Sequence, residues 1–119
     1  MRVDQGRTVN PGVLRHQITW QRKTVTGQDS FGADVVTWPD LVTCRAQVKE
    51  LQGRELTAVQ QRWAEAKYEI LQHRYAGLKE SDRISWYIDG EVRTLDVLGI
   101  QDPPGTARYL LIVAKDHVE

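Results

Sequence analysis

Apolar and polar residues alternate along most of this chain, and the period changes only once. From His16 to Lys23, Ile18, Trp20 and Arg22 share one face while Gln17, Thr19 and Gln21 share the other. A period of two with β-branched and aromatic members predicts a half-buried strand. Thr26-Gly27-Gln28-Asp29-Ser30-Phe31-Gly32 then breaks the pattern with turn formers around a lone aromatic, and reads as a loop. A second strand begins near Asp34, carried by Val35, Val36, Thr37 and Trp38. Pro39-Asp40 interrupts it, because proline has no N–H to give to a ladder. The alternation resumes from Leu41 to Leu51, with Val42, Cys44, Ala46 and Val48 on one side.

Between Gly53 and Glu65 the period lengthens. Leu56, Val59 and Trp63 stand at i, i+3 and i+7, the stripe of one short helix that must be held by packing rather than by propensity. Strand pattern returns at Lys67 to Tyr75. Tyr68 and Ile70 share a face there, but Gln72 and Arg74 follow on it, so the far half is expected to be less buried. Asp82 to Ile88 is cleaner, with Ile84, Trp86 and Ile88 in register. Asp89-Gly90 follows, a strong hairpin signal because both central residues of that turn take positive φ. Leu95, Val97 and Gly99 continue the returning strand, Asp102-Pro103-Pro104-Gly105 makes another turn, and Tyr109 to Ala114 is the last strand.

The order is β-β-α-β-β-β. One helix cannot cover both faces of such a sheet, so the strands are expected to curl on themselves. The predicted fold is mainly β: a small, partly open barrel or sandwich of about five to six antiparallel strands with one short α-helix. Residues 1–12, polar and ending in Asn10-Pro11-Gly12, are expected to form a flexible arm; residues 13–115 form the domain and 116–119 a polar tail.

Composition narrows the function classes. Sixteen Lys and Arg balance 16 Asp and Glu among 119 residues, which argues against nucleic acid as the main partner. Cys44 stands alone, so no intrachain disulfide forms, and it reads as a small core residue. His16, His73 and His117 have no metal-ligand spacing, and His16 and His73 read as ordinary sheet residues. Ser30, Ser81 and Ser85 lack a nucleophile context, and the Glu50/Glu55 and Glu65/Glu69 pairs read as solvated faces. No catalytic residue, cofactor or metal is expected, and an enzyme is disfavoured. Trp20, Trp38, Trp63 and Trp86 read as core anchors, Trp38 least clearly because it adjoins Pro39. The competing reading is an oligonucleotide-binding barrel with Trp20, Arg22, Trp38 and Arg45 as a stacking, basic face. No apolar run is long enough to span a membrane, and the N-terminus has no secretory pattern, so the chain is expected to be made in a cytoplasm.

Gly12-Val13-Leu14-Arg15-His16-Gln17-Ile18-Thr19-Trp20-Gln21-Arg22 resembles the opening of the head–tail joining, or head-closure (connector stopper), proteins of long-tailed bacteriophages, G-x-L-R-H-R-I-x-I-Q-R. Further pieces follow in that family's order. Asp29-Ser30-Phe31-Gly32 resembles its D-x-[FY]-G loop, and Trp38 its second-strand aromatic. Arg45-Ala46-Gln47-Val48 resembles W-A-x-V/I, with Arg45 where an aromatic is usual. Leu51-Gln52-Gly53-Arg54-Glu55 resembles L-x-G-R-E, and Asp89-Gly90 with Leu95 to Ile100 resembles D-G…Y-x-I-x-x-V, with Leu95 for the tyrosine. Tyr109-Leu110 resembles the closing strand.

The resemblance implies a structural subunit of the virion neck, assembled in the bacterial host cytoplasm. Such proteins join the portal–adaptor complex after DNA packaging, form a homo-oligomeric ring (six- or twelve-fold) from subunits that can be monomers when free, help retain DNA that lies close by in the channel, and offer a surface to the tail-completion protein. An adaptor one ring lower is the alternative within the neck. Two segments suit a ring subunit, which needs complementary patches and loops that order on assembly. Gln28, Asp29, Ser30, Phe31 and Gly32, within the Thr24 to Asp34 loop, are the candidate docking loop. Lys49, Gln52, Gly53, Arg54, Gln60 and Gln61 are the candidate channel-facing gate, with Gly53 as hinge. The plainer expectation for the second segment is a helix that plugs one end of the barrel.

Overall fold

The computed structural model describes residues 11–103 and 108–118. Residues 1–10 of the expected arm, and residues 104–107 after the Asp102-Pro103 step, lie outside the described residues. The elements are β1 (His16–Gln21), β2 (Thr24–Gln28), β3 (Asp34–Thr37), β4 (Asp40–Glu50), α1 (Gly53–Gln60), β5 (Tyr68–His73), β6 (Arg83–Ile88), β7 (Glu91–Gln101) and β8 (Tyr109–Asp116). Six of the strands form an antiparallel barrel in the order β1-β4-β5-β8-β7-β6, while β2 and β3 form a separate two-stranded ribbon.

The expected mainly β barrel with one short helix is what forms, and it closes fully. The seam is the β1–β6 pair, from Gln17 opposite Tyr87 to Gln21 opposite Arg83. Closure leaves the barrel no free edge for another chain to extend. Two local devices let so few strands close. The register shifts between Trp20 and Gln21 against β4, and between Val97 and Gly99 against β8. Such bulges bend and twist a strand. The Asp89-Gly90 hairpin forms as expected, with φ of 52° and 78°.

Inward residues fill the barrel. Ile18, Trp20, Ile70, Ile84, Leu95 and Ile112 are among those fully or almost fully shielded from solvent. Gln72 joins them at 0 % exposure, against the expectation that the far half of β5 would be less buried. Its side chain has partners: the Trp20 indole N–H donates to its Oε1 at 2.7 Å, and its own Nε2 donates to the His73 carbonyl. A buried amide is tolerated when its hydrogen bonds are made, and here the tryptophan needs an acceptor as much as the glutamine needs a donor.

Both ends of the expected domain reach further than the pattern suggests. Pro11–Val13 form a single 3-10 turn, and Leu14 behind it is buried against Leu71 and Tyr109. At the other end β8 continues to Asp116, the His117 N–H donates to the Thr94 carbonyl, and His117 Nδ1 lies 2.9 Å from Asp96 Oδ1. Asp116 therefore ends the last strand, and His117 just beyond it is hydrogen-bonded to β7.

The helix does not plug the barrel. Leu56, Val59 and Trp63 pack on Leu51, Ala66, Val113 and Leu98. Val113 faces out of the wall, because its neighbours Ile112 and Ala114 belong to the interior core. The excursion thus packs on the outer side of the wall, with Trp63, in the turn after α1, against β7. Gly99, opposite Val113, makes the close approach possible: a Cβ there would sit 2.6 Å from Trp63 Cζ2. Glycine in a strand often marks such a contact.

Candidate functional site

The expected docking loop is the end of a β-ribbon. Thr24 pairs with Thr37, Val25 with Val36, and Gln28 with Asp34. The run of turn formers concealed a strand, because a short ribbon with neither face buried has no apolar alternation to display. All residues of both strands are exposed. Val25, Val35 and Val36 are open to solvent, and Phe31 at the tip is 94 % exposed.

The tip is a built turn. Asp29 Oδ1 accepts the backbone N–H groups of Phe31 at 2.8 Å and Ala33 at 3.0 Å. The Asp29 N–H donates to the Ala33 carbonyl, and the Gly32 N–H donates to the Asp29 carbonyl. Gly32 supplies the positive φ, 83°. Asp29 thus holds the backbone beneath Phe31, so the aromatic is presented rather than left to wander.

The root is clamped to the barrel. Arg22, between β1 and β2, donates from Nε and Nη2 to the two carboxylate oxygens of Asp82, both at 2.9 Å, and from Nη2 to the Gly77 carbonyl. Asp82 is buried, and also accepts the Lys79 N–H. Burial pushes its carboxyl up, but the hydrogen bonds from Arg22 and Lys79 and the charge of Arg22 outweigh that, and the group lies below its ordinary value. On the other side of the root Trp38 lies under the Arg83 guanidinium, 4.2 Å from the ring centroid, and Arg83 Nε donates to Gln21. Gln21 in turn donates to Asp40. The Arg22 N–H donates to the Pro39 carbonyl and closes the base of the ribbon.

Five of the six candidate gate residues lie in the excursion between β4 and β5, and Lys49 lies near the end of β4. Gln52 precedes the helix in extended conformation and gives it no side-chain cap. Gly53 takes φ of 57° at the first helical position, consistent with a sharp entry. Lys49 pairs with Glu55 at 2.6 Å across the start of the helix. Gln60 Nε2 donates to the Ala66 carbonyl and ties the helix end to the following turn. Arg54 and Gln61 are exposed.

The stacking face of the competing nucleic-acid reading does not assemble. Trp20 is inside the barrel and bonded to Gln72, and Arg22 is committed to Asp82. Only Arg45 is left largely exposed, with Trp38 half-buried beneath Arg83. Cys44 is half-buried against the core, where burial raises its thiol pKa. His16 Nδ1 accepts the Val48 N–H, and its ring meets Trp86 edge-on. No group of three or more His, Cys, Asp or Glu able to hold a metal occurs among the described residues. No helix among them is long and apolar enough to cross a membrane.

Sequence reasoning missed a second feature. Where β1 begins and β4 runs past it, an open pocket of about 300 Å³ is lined by Val13, Arg15, His16, Gln47, Val48 and Lys49. β1 and β4 run antiparallel, so this pocket and the ribbon lie at opposite ends of the pair. Nothing in the local pattern signals the pocket, because the overshoot of β4 depends on the register with β1.

The family model for phage head completion protein matches residues 9–117. No curated protein matches the chain. Among solved structures, a protein of Shigella flexneri 2a determined in solution is similar at 24 % identity, over 93 % of this chain and 99 % of that one, with a TM-score of 0.70. A chain in the virion of a native gene transfer agent particle is similar at 12 % identity, over 88 % and 98 %, with a TM-score of 0.52. Both likenesses are likenesses of fold.

Proposed function

The chain belongs to the phage head completion protein family, and from that premise we propose that it works as one subunit of a ring in the neck of a long-tailed phage virion. It adds to the portal–adaptor complex after DNA packaging, helps keep the DNA in the head, and offers the surface to which the tail-completion protein attaches. The ring is six- or twelve-fold, and the free protein is a monomer before it meets the connector. Assembly takes place in the bacterial host cytoplasm. The work is structural rather than catalytic.

The observation that carries this reading is the clamped ribbon. A closed barrel holds out a wholly exposed arm whose tip presents Phe31. Isolated two-stranded ribbons are marginal in water, so an arm of this kind makes physical sense when a partner completes it. Zero net charge suits a ring near which DNA passes without being gripped. The fold neighbour within a gene transfer agent virion supports a place among the structural parts of a particle. The Lys49, Gln52, Gly53, Arg54, Gln60 and Gln61 segment remains the candidate channel-facing surface, and all six of these residues are exposed. Gln28, Asp29, Ser30, Phe31 and Gly32 are the candidate docking residues.

The test is an add-back experiment. Purified protein is mixed with DNA-filled heads that carry portal and adaptor but lack this component. Retained DNA and restored tail attachment are the expected result. A protein that ignores heads but binds isolated tails belongs one ring lower, and one that ignores both has no part in head closure.

A further inference from the structure

Two features of this chain match each other but cannot meet within one copy. One is the ribbon tip, where Phe31 is 94 % exposed and held up by Asp29. Asp29 and Asp34 are the only charged residues between Thr24 and Trp38, so the ribbon is acidic. The other is the pocket of about 300 Å³ at the far end of the β1–β4 pair. Its lining includes two cations, Arg15 and Lys49, and no carboxylate; Glu55, the partner of Lys49, is outside the lining. Val13, Val48 and the ring of His16 supply apolar surface. An exposed ion pair such as Lys49–Glu55 costs little to rearrange.

We propose that the Phe31 tip of one copy seats in the Val13–Lys49 pocket of the next, a head-to-tail contact between second copies of this chain. It rests on the ring reading above and gives that ring its interface. Because tip and pocket lie at opposite ends, the contact is heterologous, the kind that repeats around a ring when the rotation closes. An aromatic that fills a pocket is the usual anchor of such an interface, and the opposite charges at its rim set its orientation.

The experiment is site-directed cross-linking on DNA-filled heads that carry portal and adaptor, where the ring forms, with Cys44→Ser as background. Copies with Ser30→Cys are mixed with copies carrying Gln47→Cys, added to the heads and treated with a short bis-maleimide. A mixed dimer cross-linked between positions 30 and 47 is expected. Adding Phe31→Ala to the first copy, or Arg15→Glu to the second, should lower its yield about tenfold or more. Glu80, exposed beside Asp82 at the ribbon root and so at the end opposite the pocket, gives the control acceptor as Glu80→Cys. No cross-link at 47, equal yield at 80, or a yield indifferent to Phe31→Ala overturns the proposal. The add-back experiment is read separately: heads completed by a protein that gives no cross-link would keep the neck role and remove this interface.

Discussion

Two excursions leave the barrel on its first half, residues 22–39 between β1 and β4, and residues 51–67 between β4 and β5. They are of similar length and they behave in opposite ways. The second folds back, and Leu56, Val59 and Trp63 settle on the outer wall at Val113 and Leu98. The first stands off, and Val25, Val35, Val36 and Phe31 stay in water. Both carry enough apolar surface to stick to something. The helix uses its share to thicken the wall of its own barrel; the ribbon keeps its share outside the fold and is fixed only at the root, by Arg22–Asp82 and Trp38–Arg83. Val25, Val35, Val36 and Phe31 should therefore be replaceable at little cost to the fold, while Leu56, Val59 and Trp63 should not.

The widest gap between the two excursions appears on truncation to alanine. Trp63→Ala strips the helix excursion of its largest contact and should cost about 3 kcal/mol, the lower end for a large aromatic because the side chain is only half-buried. Urea unfolding of the purified domain measures it. Gly99→Ala should follow at about 1–3 kcal/mol, since its Cβ would lie 2.6 Å from the Trp63 ring, which would have to shift. The two are coupled: with Trp63→Leu in place, Gly99→Ala should cost about 1 kcal/mol less than alone. Full additivity would mean that the helix is not seated on Gly99, and the contrast with the ribbon would weaken.

What could be read from the sequence follows the same division. Strands with one face in the core show themselves by alternation, as β1, β4 and β6 do, and the Asp89-Gly90 turn shows itself by its chemistry. Of the expected helix stripe Leu56 and Val59 lie in α1, which ends at Gln60 and leaves Trp63 in the turn beyond it; whether such a stripe plugs a barrel end or lines its wall depends on where β7 and β8 run. Gln72 was misjudged because hydropathy counts a glutamine as outward, and only the fold brings Trp20 Nε1 within 2.7 Å of it. The ribbon strand β2 was invisible because Thr24 to Gln28 bury nothing. Phe31 shows in the sequence as an apolar residue among turn formers, and Arg22–Asp82, sixty positions apart, has no local signal at all.

The clamp at the ribbon root should show as an acid limb. Asp82 holds its proton less tightly in the fold than in the unfolded chain, because Arg22 and the Lys79 N–H favour the carboxylate more than burial disfavours it. A depressed carboxyl stabilises the fold above its unfolded value of about 4 and loses that contribution as pH falls through the folded value. Asp82→Asn should therefore narrow the difference in urea midpoint between about pH 7 and about pH 3. Amide exchange should quicken at the ribbon root while the β5–β8 ladder keeps its protection. If exchange rises evenly over the whole barrel, the pair braces the barrel rather than the ribbon.

The smallest effect on stability should come with a large effect on function. Phe31→Ala removes a side chain that is almost fully exposed, and the turn beneath it is made by Asp29 with backbone groups that the substitution leaves in place. Its stability should stay within about 0.5 kcal/mol of the parent, as for surface sites that break no cap, core or ion pair. If Phe31 docks on a partner, as proposed above, heads supplied with the variant should nevertheless lose DNA retention or tail attachment. Asp29→Ala should give the same functional loss for a different reason, since it frees the turn and leaves Phe31 present but unpositioned. A Phe31→Ala protein that completes heads as well as the parent would make the ribbon a passive excursion, and the helix wall would then be the surface to probe.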